Sequence, residues 1–131
     1  MSDRDLWGEL ELSSEKDSIF DFMREQADLL SSKTGYRLVA GIETSNIQTN
    51  PIEGFTLMTN FNIVCNYLDN YKYNLFTVFS SPVSDYPVLF EFNGTTHGYL
   101  SNNEEEFLYN LQQILSSEET KRVIKNLFSK S

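Results

Sequence analysis

The chain is poor in the residues on which small proteins most often build chemistry. One histidine, one cysteine, one tryptophan and three prolines occur among 131 residues. A single cysteine rules out an internal disulfide, and His97 with Cys65 makes no zinc set without several added carboxylates. The phosphate-cradling GxxxxGK[ST], the dinucleotide GxGxxG, the GxSxG elbow and the HExxH helix are all missing. Basic residues are also scarce. Ten Lys and Arg against nineteen Asp and Glu give a net charge of -9, which argues against direct nucleic-acid binding, since a phosphate backbone demands clustered cations. No apolar run reaches the length of a membrane span, and no leader pattern opens the chain, so a cytoplasmic protein away from the membrane is expected. Asn93-Gly94-Thr95 fits a glycosylation acceptor, which has no role in that compartment.

What is present is apolar and aromatic. Hydrophobic residues make up 40% of the chain, with ten Phe and seven Tyr, enough to fill a core and to argue against disorder. The length suits one domain, residues 1–131. Residues 1–12 are expected to be a loosely ordered acidic segment with Trp7, Leu10 and Leu12 as anchors. Acid is spread unevenly: residues 1–35 carry nine acidic and four basic side chains, 36–100 five and two, and 101–131 five and four.

Hydrophobic periodicity divides the chain into elements. Ser14 with Asp17 resembles a helix cap, followed by Ile19, Phe22, Met23, Gln26 and Leu30 at helical spacing and by Gly35 as a left-handed stop. "YRLVAGIET" alternates as a strand with Tyr36, Leu38, Ala40 and Ile42 on the better-buried face. The polar stretch with Pro51 and Gly54 is a loop. "FTLMTNFNIVCNYL" alternates again but is long for one strand, which predicts a bulge or bend near Asn60–Asn62. "YNLFTVFSS" has apolar pairs on both faces and reads as a central strand. "VLFEF" is the next strand, and Pro87 ahead of it suits an edge. Ser101 with Glu104 forms a capping box before Phe107, Leu108, Leu111, Ile114 and Leu115. Ser117 caps a last helix with Val123, Ile124, Leu127 and Phe128. Short polar turns between successive strands predict an α+β fold: an antiparallel meander of four or five strands, with one N-terminal and two C-terminal helices packed on one face.

Candidate site residues are few. The stretch "FEFNGTTHGYL" holds His97. Asn93-Gly94 signals a type I′ hairpin turn, and counting outward sets Phe92 against Thr95, Glu91 against Thr96 and Phe90 against His97. On that register His97 packs on an aromatic rather than beside a carboxylate, and a general base needs an orienting partner. It stays the one catalytic candidate. Cys65, in an apolar strand, reads as a small core residue. Glu104, Glu105 and Glu106 lie in a first helical turn, where negative charge offsets the helix dipole, and also offer an acidic ridge to a partner. Tyr67, Tyr71 and Tyr73 flank a polar turn and combine contact area with a polar tip, as interfaces favour; the plainer alternative is packing at the sheet edge.

These features support a non-enzymatic, acidic protein-interaction module of inhibitor, immunity or adaptor type. It needs no metal and no cofactor, and it binds another protein, a basic one by charge complementarity. A homodimer paired through the edge of the 55–68 segment is compatible with that. The alternative is a small-ligand-binding protein or enzyme with a site near His97, including Tyr99, Glu91 and Cys65.

Overall fold

Ser18, not Ser14, opens the first helix of the computed structural model, which describes residues 6–9, 18–49 and 52–131. The expected Ser14–Asp17 cap, the Leu10 and Leu12 anchors and Pro51 lie outside the described residues; of the expected anchors Trp7 is described, and it is exposed. Ser18 Oγ accepts the Asp21 N–H at 3.3 Å, while Asp21 Oδ2 accepts the Ser18 N–H at 3.0 Å, a reciprocal capping box. Helix α1, Ile19–Lys33, then buries Ile19, Met23, Ala27 and Ser31 every fourth residue. It stops where Gly35 and Tyr36 both turn left-handed, with φ of 60° and 64°. The glycine does so freely, whereas the aromatic Tyr36 is an uncommon occupant of that region.

Five strands follow: β1 Leu38–Asn46, β2 Leu57–Cys65, β3 Tyr71–Ser80, β4 Val88–Phe92 and β5 Leu100–Ser101. They pair antiparallel in the order β1-β2-β3-β4-β5. β3 is central, as expected, while β4 lies inside the sheet, so Pro87 guards no edge. The expected irregularity is at Phe61/Asn62, but the extra residue sits on the opposite strand: Phe61 faces Phe76 and Asn62 faces Asn74, leaving Leu75 unmatched. Leu75 and Phe76 both enter the core as neighbours, so this apolar pair marks a bulge; beyond it Val78 and Phe79 are buried on opposite faces, as expected of a central strand.

One face of the sheet carries the main core. Leu38, Ile63, Phe61, Phe76, Val78 and Phe90 meet Met23 of α1 and the buried residues of two C-terminal helices, α2 Glu104–Leu115 and α3 Glu118–Ser129. The rings of Phe61 and Phe76 stack at 4.8 Å, and those of Phe90 and Phe107 at 5.0 Å. Each fully buried Phe of this kind contributes about 1.5–3 kcal/mol by transfer from water. On the other face a small cluster of Phe55, Phe79 and Leu89 takes no described helix residue, and beside it Asn60, Asn74 and Thr77 hydrogen-bond to one another. The helices therefore lie on one face.

The cap of α2 differs from expectation. Asn103, not Ser101, is the N-cap: its Oδ1 accepts the Glu106 N–H at 2.9 Å, and Glu106 Oε1 accepts the Asn102 N–H at 2.8 Å. Ser101 is held in β5 opposite Val88, fully buried, with its hydroxyl 2.9 Å from Asn110 Nδ2. Ser117 caps α3 as expected, its Oγ accepting from Thr120 N–H at 3.2 Å.

The two ends of the sheet are finished differently. At the end where β1 and β3 begin, α3 closes over the strands. Cys65 Sγ lies 3.9 Å from the Leu127 carbonyl, Arg37 Nη2 donates to the Ser131 carbonyl at 2.7 Å, and the Arg37 guanidinium rests 4.2 Å over the Phe128 ring. At the other end α1 and α2 both begin, beside the loop from β3 to β4, and a cleft remains.

Candidate functional site: an acidic cleft at the open end

The cleft has a volume of about 1060 Å³ and lies between the first turns of α1 and α2 and the loop Ser81–Pro87. Asp21, Asp85, Glu104 and Glu105 line it, and no lysine or arginine does. The two helices are directed here by their caps, since each N-cap side chain satisfies one N–H of the first turn and turns the chain sharply into the core.

The carboxylates differ in what they touch. Asp21 is occupied by its cap and by Arg24, 3.2 Å away. The Ser18 N–H first, then the Ser18 hydroxyl and the Arg24 charge, hold its carboxyl below the ordinary value. Elsewhere Glu43 pairs with Lys72 at 2.9 Å, and Glu119 pairs with Arg122. Among the described residues Asp85, Glu104 and Glu105 form no ion pair. Between them stands Tyr86, whose phenol is pushed above its ordinary value by burial, and then by the charges of Glu104 and Asp85. Those two carboxylates thus act on the same corner of the cleft.

Ser80 forms part of the cleft's inner wall. It is the last residue of β3, faces Leu57 across the sheet and is 3% exposed. Its hydroxyl is the only buried side-chain nitrogen or oxygen among the described residues that has no hydrogen-bond partner. Leaving such a group unsatisfied costs about 1–3 kcal/mol, and buried polar groups are otherwise nearly always paired.

The residues singled out from sequence fall in several places. Glu104 and Glu105 line the cleft, and Glu106 is drawn into the α2 cap. Tyr67, Tyr71 and Tyr73 lie at the opposite, closed end. Tyr67 is 70% exposed in the short 3-10 turn Asn66–Leu68, Tyr71 is 48% exposed, and Tyr73 is half-buried against the core. The tyrosines and the glutamates are two separate surfaces.

His97 departs from its expected register. The Asn93-Gly94 turn is as expected, with φ of 53° and 78°, and Phe92 and Thr95 exchange hydrogen bonds of 2.9 and 3.1 Å. Beyond that, Leu89 faces Leu100, so four residues return opposite two. Thr96–Gly98 loops out, Gly98 takes φ of 81°, and Tyr99 occupies the place opposite Phe90 with its N–H bonded to Thr96 O at 3.1 Å. Tyr99 packs edge-on against Phe92 at 6.5 Å. His97 is exposed, its backbone N–H donating to Thr95 Oγ1 at 3.1 Å. A groove of about 560 Å³ beside it is lined by Gly98, Leu100, Tyr109 and the α2 first turn, but not by His97. Glu91 is exposed on the face away from the main core, and Cys65 is fully buried under α3, so neither joins His97. No three His, Cys, Asp or Glu among the described residues are grouped to hold a metal ion.

Comparison with protein-family models, with curated proteins and with solved structures found no match. The reading of function therefore rests on the cleft itself. Sequence inspection missed Ser80, Asp21 and Tyr86 as its parts. Asp21 was legible as the acid three residues after Ser18; Ser80 carried no local signal.

Proposed function

We propose that the chain is a protein-interaction module that engages a basic segment of a partner at the open end of the sheet. One observation carries this reading: four carboxylates line a single cleft that holds no lysine or arginine, and three of them form no ion pair. Unpaired charge of one sign, gathered around a concavity, focuses the field there and speeds encounter with the opposite charge.

Within the 55–68 segment both edges of β2 are paired inside the chain, with β1 and with β3. Among the described residues the free long edge is that of β1. No helix of the described residues is long and apolar enough to cross a membrane.

The test is capture of binding partners by the tagged chain at low and moderate salt, beside the double variant Asp85→Lys, Glu104→Lys. A stoichiometric partner that weakens as salt rises and is lost with the double variant is the expected result. A partner retained equally by both proteins at both salt levels overturns the reading.

A further inference from the structure

Among the buried side-chain nitrogens and oxygens of the described residues, Ser80 Oγ alone is left without a partner, and Ser80 lies in the wall of the cleft lined by Asp85, Glu104 and Glu105. Ser80 is 3% exposed and lines a space of about 1060 Å³. The same space is lined by the Asp85, Glu104 and Glu105 carboxylates, which accept hydrogen bonds, and by Tyr86, whose phenol can both accept and donate. A ligand that satisfies all of them brings several N–H donors on one positive charge.

We propose that the cleft is a lysine-side-chain site: it takes a primary ammonium from the partner, with Ser80 Oγ accepting one N–H and Asp85 and Glu104 supplying the countercharge. The proposal rests on the interaction reading above and specifies its chemistry. An ammonium is compact and carries three donors that rotate freely, which suits a hydroxyl placed deep and carboxylates placed shallow. A guanidinium is planar, with five donors in a fixed fork, and matches a bidentate carboxylate better than a recessed hydroxyl. Burial first, and then the charges of Glu104 and Asp85, raise the Tyr86 phenol at the same corner. The apolar stem of a lysine finds Ile19, Leu57 and Val83 along the same walls.

The full chain, labelled with nitrogen-15, is titrated with the peptide acetyl-Gly-Gly-Lys-Gly-Gly-amide, and separately with its Nε-acetyl-lysine and arginine counterparts. Saturable shifts at Ser80, Asp85, Tyr86 and Glu104 with the lysine peptide are expected, with at least tenfold weaker binding of the acetylated one. Ser80→Ala is expected to weaken the lysine peptide about fivefold while raising the thermal midpoint, a pairing that a purely structural serine does not produce. Asp85→Asn with Glu104→Gln is expected to weaken it at least tenfold. Equal binding of lysine and arginine peptides with no effect of Ser80→Ala overturns the lysine site. In that case loss of the partner by the Asp85→Lys, Glu104→Lys variant still upholds the wider interaction reading. Shifts that spread over the surface without saturating overturn the site as well.

Discussion

The same five strands end in two contrasting ways. Where β1 and β3 begin, a helix lies across the strand ends, Arg37 holds Ser131, and an aromatic ring takes the guanidinium. Where β3 ends, two helix first turns and a loop stand apart, three carboxylates lack cations, and a buried hydroxyl lacks a partner. The first end is built for stability. The second leaves interactions unmade.

The largest effect should come from breaking the closed end. Leu127→Ala removes a buried side chain of the main core, and we expect a loss of about 2–4 kcal/mol in urea unfolding. Lysine-peptide binding by the variant should be unchanged while it remains folded. At the open end the expectation reverses. Asp85→Lys with Glu104→Lys should abolish partner capture yet cost only about 0.3–1 kcal/mol, the price of a cation in a first helical turn. A stability loss as large as that of Leu127→Ala would erase the contrast between the ends.

Arg37→Ala should cost about 1 kcal/mol, combining a hydrogen bond to the terminal carbonyl with a cation–π contact. Ser80→Ala sharpens the contrast from the other side: a gain of up to about 1 kcal/mol in chemical denaturation, since it deletes an unsatisfied group without opening a large void. The smallest effect concerns acid. Asp21 has its folded-state value depressed, so its contribution is present above the unfolded value and disappears as pH falls through the folded one. Asp21→Asn should therefore flatten the decline of stability below about pH 4, read as thermal midpoints across an acid series.

Much of the architecture was legible because local and global signals agreed. Leu38, Ala40 and Ile42 alternate toward the core, Ser117 caps its helix, and Asn93-Gly94 turns as its two residues demand. Where the sequence misled, two local signals competed and a distant contact chose. Ser101 and Asn103 each precede a glutamate by three residues; pairing of Ser101 with Val88 removed it from contention and left the cap to Asn103. Counting from the turn failed for His97 because Gly98 permits a left-handed residue and two extra residues loop out. The cleft was less legible still. Its acids come from α1, the β3–β4 loop and α2, and only the meander's closure brings those first turns together. Ser80 in particular looks like any polar residue at a strand's end.

The unmatched Leu75 has a consequence at that serine. Along a strand, side chains alternate between faces in strict phase. Before the bulge, β3 turns the odd-numbered Tyr73 toward the helices; after it, the even-numbered Phe76 and Val78. One supernumerary residue acts like a frameshift in a written message, and every letter downstream changes sides. Were Leu75 instead paired in regular alternation, Phe79 would face the helices while Ser80 looked out from the opposite surface. Ser80 stands in the wall of the cleft because, five residues earlier, the strand counts one residue more than its neighbour.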